Sequence, residues 1–374
     1  MKKSLGIYIH IPFCVSKCHY CDFCSFPRKG EDVISAYADE LCRRIGQVGN
    51  VSEYEVDTVY FGGGTPSLMS ARDIERVLLA LGNKFVLSSN AEITLEANPA
   101  TADREYFGAI RSFGVNRLSM GLQSAVDREL LLLGRIHSAA DFVKTYNDAR
   151  AAGFDNVSAD LMYGIPDQTP DTLMYSARFL ADIAPDHISA YGLTVEEGTH
   201  FEKHLGELNI ADGDGQSEMY MLLSDYLPSR GYNKYEISNF ARDGRQSRHN
   251  LRYWKCEEYL GFGVAAHSYF GGERFGNSRD IRAFLAGDDI IAERETVDFD
   301  SARAEYVMLG LRLAAGLDLE EYSRRFGTSF PIDSPTLKAY VQAGLMRVLD
   351  GRLCFTDRGF FVSNAILGEI LDLI

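Results

Sequence analysis

Six short apolar stretches fall within the chain's first two hundred residues, separated by segments with helical periodicity. Residues 5–11, 57–61, 91–97, 117–122, 157–162 and 187–193 have strand character. Helical segments follow at 32–48, 70–81, 102–113, 125–133 with 138–152, and 171–183. In the first helix Val33, Tyr37, Leu41 and Ile45 share one face. Strands joined by crossover helices lie parallel in one sheet. Six units are too few to close an eight-stranded barrel. The expected fold class is therefore α/β, an open, partial (β/α)6 barrel spanning residues 1–214.

After residue 214 the pattern changes. A helix at 215–229 leads into mixed, aromatic- and Gly-rich sequence up to residue 300. From 301 to 374 helices surround an Asp350-Gly351 pair set between two apolar stretches, a hairpin signal. This predicts a C-terminal α+β domain of winged-helix type. Winged helices often bind DNA, but this tail balances 8 basic against 9 acidic residues, so packing or partner contact is expected there. The whole chain carries a formal charge of −15, which disfavours nucleic acid as a partner. No apolar run approaches the length of a transmembrane segment. The opening residues lack a signal-peptide cleavage pattern, so a cytoplasmic protein is expected.

Four of the seven cysteines fall between residues 14 and 24. Clustered cysteines without a secretion signal point to metal binding. Cys14, Cys18 and Cys21 form Cys-x3-Cys-x2-Cys directly after the first strand. Three thiolates can take three irons of a [4Fe–4S] cluster and leave the fourth iron open. An open iron can chelate the amino and carboxylate groups of S-adenosylmethionine (SAM), whose cleavage is then cofactor chemistry. The alternative is a structural zinc site that adds Cys24. Cys24 would block SAM if it took the open iron, and it is read as a spectator.

Polar and glycine residues recur where the predicted strands end. They are Gly62-Gly63-Gly64-Thr65 after the second, Glu96 and Asn98 after the third, Gln123 after the fourth, then Arg135, and Asp160 in the fifth. In β/α barrels that end carries the active site. Adjacent glycines let backbone approach a ligand closely.

The cysteine loop, with Tyr20 beside its last cysteine, resembles the cluster loop of the radical SAM superfamily. The resemblance extends over almost the whole chain to that superfamily's coproporphyrinogen-oxidase-like branch. It rests on residues 8–14, Phe61-Gly62-Gly63-Gly64-Thr65-Pro66, the stretch 116–124 and Leu133-Gly134-Arg135-Ile136-His137. It implies that Tyr8, Gly63 and Glu96 contact the cluster-bound SAM. It also implies that Gly64, Thr65, Gln123, Arg135 and Asp160 occupy positions that hold a second SAM in the oxidase.

Three features separate the chain from the oxidase itself. Phe23 stands where the oxidase has a fourth cysteine, and only 13 residues precede Cys14. The segments 235–241 and His249-Asn250-Leu251-Arg252-Tyr253-Trp254 instead resemble the haem-chaperone members of the branch, in which His-Asn-x-x-Tyr-Trp is tied to haem. The implied haem site uses His249, Asn250, Tyr253 and Trp254, with His267 as the rival ligand. Imidazole suits iron and the aromatic faces suit a macrocycle. Six basic residues (Lys234, Arg242, Arg245, Arg248, Arg252, Lys255) in that stretch would meet propionates. The resemblance thus implies a haem chaperone serving an unidentified acceptor protein. A coproporphyrinogen III oxidase, or another tetrapyrrole-acting enzyme, is the alternative. The same segment also reads as a loop closing the barrel, with His249 satisfied by hydrogen bonds.

Overall fold

The computed structural model describes residues 2–27 and 30–374. Six parallel neighbours form the centre of its main sheet: β1 Lys3–Ile11, β2 Tyr54–Gly63, β3 Val86–Ala97, β4 Arg117–Gln123, β5 Val157–Tyr163 and β6 His187–Gly192. The crossovers are α1 Glu31–Gln47, α2 Ala71–Lys84, α3 Arg104–Ser112, α4 Asp127–Leu132 with α5 Ala139–Ala151, and α6 Pro170–Ile183. Their starts follow local chemistry. Ser70 and Asp103 cap α2 and α3 by accepting from backbone N–H groups, and Ser138 forms a capping box with Asp141. Thr169 caps α6, and Pro170 occupies its first turn.

The strands are two-faced, which is unusual in a parallel sheet, where both faces are normally apolar. Ile7, Ile9, Val59, Phe61, Ile93, Leu95, Leu118, Met120, Ala159, Leu161 and Ile188 are all buried in one core that also takes in the helices. The alternate positions are largely polar: Thr58, Tyr60, Thr94, Glu96, Arg117, Ser119, Ser158, Asp160, His187 and Ser189. Side chains alternate across a strand, so the second set faces the inside of the open barrel. Its concave face is a lined cavity, not a second core.

The stretch after residue 214 is less separate than its composition suggested. After α7 Gly213–Ser229, β7 Asn233–Lys234 and β8 Asn239–Ala241 extend the sheet beyond β6. On the other side β9 Tyr259–Phe262 joins β1 in parallel, followed by antiparallel β10 His267–Phe270, β11 Glu273–Asn277 and β12 Ile291–Thr296. The order is β12-β11-β10-β9-β1-β2-β3-β4-β5-β6-β8-β7.

Between the two groups lies α8 Arg248–Trp254, which closes the bottom of the barrel. The Glu92 carboxylate accepts from the backbone N–H groups of Arg248 and His249, a favourable anion at a helix N-terminus. Arg252, only 2% exposed, donates to Ser4, Asp57 and the Glu258 carbonyl.

The tail matches the winged-helix expectation. Helices at Phe299–Gly310, Leu319–Phe326 and Pro335–Gln342 surround a small sheet of β13 Leu317–Asp318, β14 Met346–Leu349 and β15 Arg352–Phe355. Asp350 and Gly351 adopt φ of 50° and 74°, the paired positive values of a tight hairpin turn. Glu236 bridges to Leu313 and ties this unit to the barrel. Among the described residues no helix is long and apolar enough to cross a membrane.

Candidate functional site

A cavity of about 670 Å³ opens at the C-terminal ends of the parallel strands, within the size range of ligand sites. Cys14, Cys18 and Cys21 line it together with Gly63, Gly64, Thr65, Glu96, Gln123, Arg135, Asp160 and Asn250. The strand-end residues singled out from sequence therefore share one space with the three thiols. Cys24 faces a second cavity instead. Among the described residues no three Cys, His, Asp or Glu side chains converge on a point suited to a single ion.

The thiols are free, and burial pushes Cys14 up and Cys21 up to about 11. A ligating sulfur must lose its proton, and bound iron supplies the charge that makes this favourable. Donors already face two sulfurs: Thr65 Oγ1 lies 3.6 Å from Cys14 Sγ, and Arg135 Nη1 lies 3.6 Å from Cys18 Sγ. Gly64 sits against the loop so closely that a Cβ there would fall 2.7 Å from the Phe13 carbonyl oxygen. This three-thiol loop, with hydrogen bonds aimed at sulfur, fits a cluster with one open iron.

Above the glycines the polar groups are held in place. Glu96 accepts from Tyr60 OH (2.8 Å) and from Gly63 N (3.1 Å), where φ is +111°. Burial still raises its carboxyl. Arg135 donates to Asn98 Oδ1 and the Gly121 carbonyl, while its enclosed Nε lacks a partner. A Cβ at Gly121 would meet Gln123 Nε2 at 2.7 Å. Gln123 itself has φ 71° at a bulge in β4, which aims its amide at Tyr191 OH. Asp160, half-buried, is pushed up to about 7 by desolvation and then by Glu96, with Arg117 and Arg135 opposing. These orphaned and tightly oriented groups fit the adenosine and amino-acid parts of SAM.

The residues of the implied haem site are dispersed, with Asn250 on the first cavity, Tyr253 on a second and Trp254 on neither. His249 is 1% exposed, with Nδ1 2.9 Å from Thr58 Oγ1 and Nε2 2.9 Å from Tyr253 OH. Burial and the nearby arginines lower it to about 3. It is a core residue of the barrel plug, since tertiary packing from β2 covers the face that sequence left open. Trp254 is half-buried and lines neither cavity. Five of the six side chains in the basic stretch have partners, and Lys255 stays exposed. Lys234 pairs with Asp357, Arg245 with Asp155, and Arg248 and Arg252 with Asp57, while Arg242 donates to the Pro185 carbonyl.

Tyr253 does line the second cavity, about 660 Å³, with Tyr8, His10, Tyr259, His267 and Arg279. Tyr8 thus stands on that side, its hydroxyl 3.0 Å from His10 Nδ1. Asp22 and Phe23 line both cavities and form the wall between them. Sequence reading gave no role to Tyr60, Arg117, His187 and Tyr191, although their inward parity on predicted strands marks them.

Comparison with known proteins gives this geometry its context. The model of the Radical SAM superfamily matches residues 8–180, and that of the HemN C-terminal domain matches 300–362. The heme chaperone HemW of Bacillus subtilis is 34% identical over 378 residues, covering 97% of this chain and 98% of the relative. The HemW of Escherichia coli is 32% identical, covering 97% of each. The chain belongs to the HemW family. In fold, this HemW-family chain resembles the E. coli coproporphyrinogen III oxidase HemN, described as a radical SAM enzyme. The TM-score is 0.83 at 22% identity, covering 99% of this chain and 90% of that one.

Proposed function

We propose that this protein is a haem chaperone built on a radical SAM barrel, which binds haem and passes it to an acceptor protein. Full-length similarity to relatives named heme chaperone carries the reading. In the first cavity Cys14, Cys18 and Cys21 hold a [4Fe–4S] cluster. Gly63, Glu96, Gly64, Thr65, Gln123, Arg135 and Asp160 hold SAM. When bound, that pair supplies one-electron reductive cleavage of a sulfonium. The protein's own part is positional. The Gly63–Gly64 backbone admits the ligand, Glu96 and Asp160 receive hydroxyl groups, and Arg135 keeps a positive charge beside the sulfurs.

Haem is assigned to the second cavity. Tyr253 and Tyr259 offer aromatic faces there, and Arg279 a partner for a propionate. His267, with a side chain 55% exposed, is the accessible imidazole. His249 lies directly behind the Tyr253 hydroxyl and reaches the cavity only if that ring turns aside.

The test gives the cluster-reconstituted protein haem and coproporphyrinogen III separately. A Soret band that follows haem concentration, with no protoporphyrinogen IX formed, is expected. Robust formation of protoporphyrinogen IX would establish the oxidase instead. His267→Ala should weaken haem binding with iron–sulfur content unchanged. If His249→Ala alone weakens it, the ligand is the buried residue of the plug.

A further inference from the structure

Arg117 opens β4 and is 2% exposed, yet its guanidinium forms no hydrogen bond or ion pair with any described residue, and Nε is fully enclosed. The other buried arginine, Arg252, and the half-buried Arg135 differ, both being held by protein oxygens. Arg117 faces the first cavity at its deep end, with Ser158, His187, Ser189, Asn239 and Asn250. His187 is no cation there. Its nitrogens meet Ser158 Oγ and Tyr235 OH, and burial holds it well below the ordinary imidazole value. Asn239 Oδ1, also buried, has no partner. A desolvated, unpaired guanidinium is costly, so its retention at a cavity floor points to an anion that arrives with a ligand.

We propose that the deep end of the first cavity is a carboxylate subsite built on Arg117. A guanidinium binds a carboxylate through two parallel hydrogen bonds. Glu96 and Asp160 line the same cavity, so a singly charged carboxylate suits the site better than a phosphate dianion. Register sets the depth. Arg117 is level with Thr94, one inward position below the Glu96–Ser119 pair, or about 7 Å along the strand. A carboxylate seated on Arg117 therefore directs the rest of its molecule up toward Glu96 and Asp160. Nothing in the assignment of Cys14, Cys18, Cys21 or Arg135 requires this residue. The inference rests on the first cavity holding SAM. The carboxylate belongs either to the methionine end of a SAM molecule other than the one chelated by the open iron, or to a tetrapyrrole propionate, in which case haem occupies this cavity and not the second.

The experiment compares wild type, Arg117→Gln and Arg117→Lys, each reconstituted with its cluster, using three probes: SAM, haem and haem dimethyl ester. If the carboxylate is SAM's, Arg117→Gln weakens binding of SAM beyond the first equivalent at least tenfold, and the preference for haem over its ester is unchanged. If it is a propionate, the SAM titration stays normal and the variant loses a preference of tenfold or more. Should Arg117→Gln lose its cluster, Arg117→Lys decides, since it keeps the charge without the fork. At least a threefold effect on the same probe is then expected. Wild-type titrations with all three probes in a variant that retains its cluster overturn the subsite. A wild type that binds SAM but not haem refutes the chaperone reading alone, and the SAM arm then decides Arg117.

Discussion

Replacing Glu236 by Gln should stabilise the protein, and by an amount that depends on pH. Glu236 lies in the segment joining β7 to β8 and is fully buried. Oε1 accepts from Ser238 N at 3.2 Å, and Oε2 has no partner. Desolvation raises the carboxyl to about 7, with hydrogen bonds from Asn239 and Ser238 and the charge of Lys234 opposing. Arg312 feels the same carboxylate from the C-terminal unit. An unfolded glutamate titrates near 4.5, so the gap is about 2.5 units, or about 3 kcal/mol. The sign follows from proton counting. Between about pH 4.5 and 7 the folded state keeps a proton that the unfolded state has lost, so wild-type stability falls as pH rises through that window. Gln keeps the acceptor and cannot ionise. The difference between Glu236→Gln and wild type should be small at pH 4.5, grow through pH 6 and level off near 3 kcal/mol above pH 7.5. Denaturant melts at matched pH values measure it, and every other titrating group cancels in the subtraction. A difference that does not vary with pH would refute the argument, because it would mean that the carboxylate is solvated or paired when folded.

Cys14→Ala, Cys18→Ala and Cys21→Ala should each abolish the [4Fe–4S] spectrum on reconstitution, whereas Cys24→Ala, which faces the other cavity, should keep it; iron and sulfide content reads both. Gly64→Ala puts a Cβ 2.7 Å from the Phe13 carbonyl oxygen, and should cost about 1–3 kcal/mol and lower cluster occupancy, visible as a reduced melting temperature and iron per chain. Glu96→Gln should weaken SAM binding without loss of iron, read by the SAM-induced shift in the cluster's electron paramagnetic resonance.

The six parallel strands were legible because each couples an apolar run to a crossover helix, and the cysteine loop because its spacing is self-contained. The strand-end residues followed from barrel logic. All but Arg135, which follows α4, also lie within or just beyond a strand whose limits sequence pattern gives to within a few residues. The outer strands β7 to β12 were not legible. They are short, rich in Gly and aromatic residues, and draw their order from pairing with β1 and β6. The burial of His249 was not legible for a related reason. A histidine among aromatics carries no mark of which side will be covered, and its partners Thr58 and Glu92 lie far away in sequence. The basic stretch from Lys234 misled similarly, since Asp57, Asp155 and Asp357 are invisible to a local charge count. Arg117 lies within a family motif, but only the parity of β4 shows that it points into the barrel.

A parallel sheet whose concave face is polar has given up half of its usual apolar burial. The proposed cofactors would supply the missing half of the interior. A cluster and SAM filling the cavity against Glu96, Arg117, Asp160 and the three thiols would bind only the folded chain, and so add their binding free energy to its stability. The empty barrel and the filled one then differ as materials. The first is a hollow shell braced from one side and sealed at its base by α8. The second is solid through its thickness. Loss of iron under oxidising conditions would therefore reach beyond chemistry, removing the filling that keeps the shell closed and exposing the whole chain to proteolysis.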